Sequence, residues 1–348
     1  MSRWKAWVGV AVSVIAIWYA ARGVDWAEVG EALAGADYGI LALVLVLTPM
    51  VNVGARAIRW RILLQPVRRV RLADCIAATA IGLMANNVLP ARVGEFVRAY
   101  TLGRRGATPT GTALGALFVE RMLDGFALTG LLYAVTLVQD LPGWVDTTAR
   151  VAFGVFFGLL VFQLVLAFRP TAFVRFASWA SRRLFDGRFE EAVDRVVVTF
   201  VDGFRLLRQP ALVAVSVVLA FLQWTLISAL YYLGLAAFGL AARVGWAGAF
   251  FTDSVTTLGV AVPSSPGFVG TFQAFVVKSL EVFGIEPAAA FSFSVGFHAA
   301  SYLGVTAVGL AFFLRAGLSW RDLEVSEEEI EAGLEPRIRP DASSGGRV

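Results

Sequence analysis

Asn86 to Arg98 reads NNVLPARVGEFVR, and it sets Arg92, Glu95 and Arg98 directly against an apolar segment with Pro90 at the join. Charge at membrane depth is rarely kept for stability alone. Two guanidinium groups, each three residues from one carboxylate, form a unit that can hold an anion, with Glu95 pairing either arginine until the anion displaces it. Pro90 suits the first position of a helix, and Asn86 or Asn87 can satisfy the donors at its start. A helix that begins here adds the partial positive charge of its N-terminus to Arg92 and Arg98, so the site suits a lipid phosphate. The other reading leaves both arginines snorkelling to the cytoplasmic interface.

A second charged group, FVERMLDG, places Glu120 and Asp124 one helical turn apart with Arg121 beside both, inside the apolar run Thr112 to Val138. Such a triad must face the bundle interior, where Arg121 neutralises a carboxylate or Glu120 meets Arg92 or Arg98. It serves either the substrate or the helix register. A third group lies in PSSPGFVGTFQ, where Pro263, Pro266, Gly267 and Gly270 break a helix, and Asp253 and Gln273 bring a polar side chain to each limb. The break and the two polar groups suit a cavity lining. His298 and Tyr302, one turn apart, can reach the same cavity, although a lone His in a span is more often a satisfied packing residue.

Positioning these groups is the work of a membrane bundle. Hydrophobic residues make up 58% of 348 and charged ones 16%, and the mean hydropathy is +0.71. A soluble globule of that composition would expose too much apolar surface. The single Cys75 excludes an internal disulfide, and the single His298 speaks against a histidine-built metal centre. No metal and no cofactor are expected. The apolar run Ala6 to Ala21 follows Arg3 and Lys5 like a signal peptide, but Trp7, Trp18 and the lack of an Ala-x-Ala site favour an uncleaved anchor.

Six runs approach the length of a full span: Ala6 to Ala21, Tyr38 to Val53, Thr112 to Val138, Val151 to Phe168, Pro210 to Leu240 and Ala288 to Leu314. The loop after the second holds Arg56, Arg59, Arg61, Arg68, Arg69 and Arg71, and the loop after the first is acidic. The N-terminus is therefore expected in the cytoplasm. Ala73 to Leu89 is short and has arginines on both flanks, which reads as a re-entrant element turning at Asn86, Asn87 and Pro90. The limbs between Trp246 and Phe283, split by Pro263 to Gly267, have flanks poor in Lys and Arg. They read as a second re-entrant pair from the opposite face, or as two short spans. Either way the C-terminus is cytoplasmic.

The expected fold is thus all-α: a polytopic helical bundle of six spans and two re-entrant elements within residues 1–318. An arginine-rich amphipathic connector fills 169–208, lying against anionic headgroups. Residues 319–348, acidic and then rich in Pro, Ser and Gly, read as a disordered cytoplasmic tail.

The combination of NNVLPARVGEFVR, the ERMLD group and PSSPGFVGTFQ resembles the transmembrane, flippase-like domain of the lysylphosphatidylglycerol synthase family, over roughly Trp7 to Leu314. The resemblance implies an integral protein of the prokaryotic cytoplasmic membrane that moves an amphipathic lipid between leaflets. It carries over Asn87, Pro90, Arg92, Gly94, Glu95 and Arg98, then Glu120, Arg121 and Asp124, then Pro263, Pro266, Gly267 and Gly270. Two positions depart from the pattern: Gln273 stands where a Glu is usual, and Phe268 where a second Gly is usual. The chain reads as a stand-alone member without the aminoacyl-transfer domain.

The expected function is translocation of an anionic phospholipid or polyprenyl-phosphate lipid, without hydrolysis since there is no P-loop. The competing expectation is a membrane-embedded transferase or accessory subunit in lipid-linked glycan or phospholipid-headgroup metabolism. Partners are membrane lipids rather than nucleic acid, with a second copy of the chain or a separate lipid-modifying enzyme also in view.

Overall fold

A computed structural model describes residues 3–89, 93–169, 198–261 and 265–318, together with 171, 175, 179 and 183. Pro90, Arg92 and Pro263, most of the connector 169–208 and the tail 319–348 lie outside the described residues. The described residues form helices and no strand.

Among the described residues, four helices are long and apolar enough to cross a membrane: α3 (Tyr38–Leu64), α7 (Gly143–Phe168), α8 (Pro210–Ala237) and α11 (Pro287–Arg315). Around them stand α1 (Arg3–Ala20), α2 (Trp26–Ala34), α4 (Leu72–Val88), α5 (Gly94–Arg104), α6 (Thr110–Thr136), α9 (Ala241–Gly259) and α10 (Thr271–Glu281). Helix α6 has the length of a span, at 27 residues, but carries the charged triad at its middle. Exposed apolar side chains cover α7 on most of its surface, among them Val151, Val155, Phe162 and Val165. That is the surface expected of a helix facing lipid, where apolar groups carry no hydration penalty.

The second span is longer than hydropathy suggests. Helix α3 runs on past Val53 through a π-helical turn, Met50–Ala55, and ends at Leu64. Arg56 and Arg59 therefore belong to the helix, buried at 6% and 0% exposure, and not to a loop. The shorter cytoplasmic-type loop that remains still holds Arg68, Arg69 and Arg71.

Two helical hairpins define the interior. In the first, α4 and α5 run antiparallel, close enough that a Cβ on Gly82 would stand 2.6 Å from the Gly94 carbonyl oxygen and 2.8 Å from the Arg98 Cβ. The helix expected to start at Pro90 starts at Gly94. In the second, α9 and α10 run antiparallel, with Phe251 against Phe283 near one end at 5.6 Å and Gly259 against Phe275 near the other. Helix α10 also packs on α1, where the Ser265 amide donates to Ser13 Oγ at 2.9 Å.

Both hairpins lie along α11, on opposite halves of it. Helix α10 reaches the first half, with the Phe272 ring stacked on His298 at 4.3 Å. Helix α4 takes the second half, where Gly309 abuts Ala80 and Met84. Their tips meet at the middle: a Cβ on Gly267 would stand 2.6 Å from the Tyr302 ring and 3.3 Å from the Asn87 carbonyl oxygen.

Candidate functional site

The charged side chains meet at the level of these tips, near the midpoints of α6 and α8 and in the second half of α3. Arg98 donates to Glu120 from both terminal nitrogens, at 2.7 and 3.0 Å, and a third bond reaches the Arg56 carbonyl at 3.3 Å. Its guanidinium lies over the Trp60 ring, 4.2 Å from the centroid. Asp124 accepts from Arg56 at 3.2 Å, from Arg59, and from the Trp224 indole at 3.1 Å. Arg121 bridges Glu120 at 2.8 Å and Asp124 at 3.2 Å, and stands 4.0 Å from Glu95. Four guanidiniums thus share three carboxylates.

The burial has an energetic meaning. Glu120 is fully buried and Arg98 is 4% exposed, so neither charge could be held there without the other. The bidentate geometry of Arg98 on Glu120 is the strong form of such a pair. Arg98 is thereby committed to structure. The expected Glu95–Arg98 pair is replaced by Glu95 with Arg121 and with Asn86, whose amide donates to Glu95 at 3.3 Å. Asn86 also accepts from the Gly94 amide at 2.8 Å, which satisfies a donor at the start of α5. Asn87 turns the other way and donates to Thr306 on α11 at 2.9 Å.

In front of this cluster lies a cavity of 470 Å³. Its charged wall is Arg56, Arg121, Glu95 and Asp124; its polar wall is Thr48, Asn52, Asn86 and Asn87; the second hairpin and α11 close it with Thr257, Phe268, His298, Ser301 and Tyr302. Arg56 Nε, Arg121 Nε and Ser301 Oγ are buried donors without a partner among the described residues. Two guanidinium groups line the cavity, and the Arg121 side chain keeps 32% exposure there, which is what an anionic group would meet.

Of the residues singled out by sequence, Asn87, Glu95, Arg121, Asp124, His298 and Tyr302 line this cavity. Arg98 and Glu120 stand behind its wall. Gly94, Gly267 and Gly270 act through close approach: a Cβ on Gly270 would strike the Ser13 backbone, and one on Gly94 the Gly82 carbonyl. Gly267 also adopts φ 67°, which favours glycine. Pro266 opens the short 3-10 turn Pro266–Phe268. Gln273 caps α10, accepting from the Gly270 amide at 2.7 Å and meeting His298 Nδ1 at 3.0 Å. Asp253 is fully buried beside the cavity rather than on its wall, and accepts from Ser228 at 2.8 Å and Thr257 at 3.2 Å.

Sequence reasoning missed Arg56, Arg59 and Trp224. A usable signal existed for the first two. Thr48, Asn52 and Arg56 recur every four residues, with Arg59 three further on, which is one polar stripe on one helix face.

Residues 6–309 match the model of the lysylphosphatidylglycerol synthase TM region. The chain belongs to this family. It is an integral membrane protein, and the resemblance read from the three motifs holds. Glycosyltransferase AglD of Haloferax volcanii is 29% identical over 331 residues, 86% of this chain and 52% of that protein. The chain therefore spans about half the length of that relative. A UPF0104 membrane protein of Methanothermobacter thermautotrophicus is 22% identical over 321 residues, 88% of this chain and 94% of its own length. Another, of Methanocaldococcus jannaschii, is 20% identical over 234 residues, 66% of this chain and 93% of that one. No solved structure matches the chain.

Proposed function

We propose that the protein moves an anionic lipid headgroup, of a phospholipid or a polyprenyl phosphate, between the leaflets of a prokaryotic cytoplasmic membrane. In this reading α1, α3, α6, α7, α8 and α11 span the bilayer with both termini in the cytoplasm. The two hairpins are re-entrant from opposite faces. The arginines of the 65–71 loop and the acidic segment around Asp25, Glu28 and Glu31 support that orientation.

The observation that carries the reading is the charged cavity between the hairpin tips, with the Arg56 and Arg121 side chains on its wall. A phosphate placed there replaces its hydration with guanidinium contacts, while its acyl chains stay in lipid alongside the bundle. Each tip closes the route from one side, so small movements of Asn87 against Gly267 and Tyr302 would expose the cavity to one leaflet at a time.

The test is leaflet exchange of a fluorescent anionic phospholipid in liposomes holding the full chain. Arg56→Ala is expected to slow exchange roughly 10- to 100-fold, the size of one or two charged hydrogen bonds. Exchange equal to that of protein-free liposomes, for several anionic headgroups, would overturn the proposal.

One observation favours a second reading, a part in lipid-linked glycan metabolism as transferase or accessory subunit: AglD bears the name glycosyltransferase. Product formation from a lipid phosphate and a nucleotide sugar by the purified chain, dependent on a divalent metal, would put that reading first.

A further inference from the structure

Three buried acids lie at the level of the hairpin tips or just beside it, and they are not equivalent. Glu120 and Asp124 are each bonded to arginines. Asp253, on α9, makes no ion pair among the described residues and is held by two hydroxyls, Ser228 on α8 and Thr257 on its own helix. Tyr231 of α8 is the other titratable group facing it, and Arg56 of α3 is the charged group that shares a cavity wall with its partner Thr257. Helix α6 offers this region only the Leu128 carbonyl, which takes Ser254. Across the cavity stand Glu95, Asp124, Arg121 and His298.

Arg56 and Thr257 both reach the cavity wall, so Asp253 sits one side chain away from whatever fills it. We infer that Asp253 takes up a proton when an anionic headgroup occupies the cavity, so that anion and proton move together. The inference rests on the cavity being an anion site. A phosphate seated in the cavity brings negative charge to within one side chain of Asp253, through Thr257, and a buried carboxylate without a counter-ion is costly. The group answers by binding a proton from water in the cavity, its carboxylate becoming a carboxylic acid with no other bond changed. Linkage makes the effect reciprocal: the proton on Asp253 strengthens anion binding by the same factor. The gradient of protons then drives the anion without nucleotide hydrolysis.

Calorimetric titration of the full chain in detergent with a short-chain phosphatidylglycerol, in two buffers of different ionisation enthalpy, counts the protons taken up. The expected result is about one proton per lipid bound, with affinity falling roughly 10-fold as pH rises through the working range. D253N binds the lipid with an affinity that no longer changes with pH, whereas Asp253→Glu keeps both the acid and the uptake. Binding without proton uptake, uptake that persists in D253N, or an affinity set by sodium and not by pH overturns the inference alone. Absence of lipid binding by the unaltered chain overturns the cavity reading, and the inference with it.

Discussion

The two hairpins are alike in outline and opposite in chemistry. The first, α4–α5, brings Arg98 and Glu95 to the interior and is closed by backbone contact between Gly82 and Gly94. The second, α9–α10, brings no arginine to the cavity; it contributes hydroxyls, an unpaired acid and a turn with a strained residue. Its closest internal approach, Gly259 on Phe275, is backbone against a ring and not against backbone. The difference teaches where rigidity and adjustability sit. Charge pairs and backbone contact make the first hairpin a fixed wall, while side-chain contacts and hydroxyl bonds leave the second able to shift.

Five substitutions, in three tests, sharpen that contrast in falling order of effect. Gly94→Val drives a branched side chain into the Gly82 carbonyl and Asn86, neither of which can move without opening the hairpin. Loss of a monodisperse species in size-exclusion chromatography is expected, while Gly259→Ala, which displaces the Phe275 side chain and no backbone, keeps one. Equal behaviour of the two variants would erase the distinction.

Glu120→Ala comes next. It leaves Arg98 buried with its bonded counter-charge gone, a cost of about 3–5 kcal/mol. Asp253→Asn removes no ion pair and retains hydrogen bonding to Ser228 and Thr257, so a change of about 1 kcal/mol or less is expected. Thermal unfolding in detergent separates them, and a larger loss in the Asn variant would mean that Asp253 is a structural charge.

The smallest effect belongs to Phe268→Gly. Phe268 holds φ 60°, a region that L side chains rarely adopt, at the tip of the second hairpin. Relief of that strain is expected to raise stability by about 1 kcal/mol. Since Phe268 also lines the cavity, leaflet exchange should quicken in the same variant. A fall in both would show that the ring is a packing element and that the turn tolerates it.

Much of this arrangement is legible from spacing and charge. The broken segments around Asn86 and Gly267 come from short apolar runs with matching flanks, and α7, α8 and α11 from plain hydropathy. Gly270 is also visible, as part of the helix break, whereas Gly94 enters through the family resemblance alone. Arg56 and Arg59 are harder. Counting loop charges assigns them to water, because hydropathy sees a run of arginines and cannot see Glu120 and Asp124, over sixty residues away, that pay for their burial. For Arg98 the sequence offers both a lipid phosphate and Glu120, and the packed bundle chooses Glu120. Local pattern reports which residues are charged; only the packed bundle decides which of them remain free to meet a ligand.

The most direct test of the central claim is the position of a bound headgroup. Cryo-electron microscopy of the full chain in nanodiscs of anionic phospholipid should show phosphate density between the hairpin tips, about 3 Å from the Arg56 or Arg121 guanidinium. Lipid phosphates confined to the two membrane surfaces, with Arg56 and Arg121 closed onto Asp124 and Glu95 and the cavity empty, would contradict it.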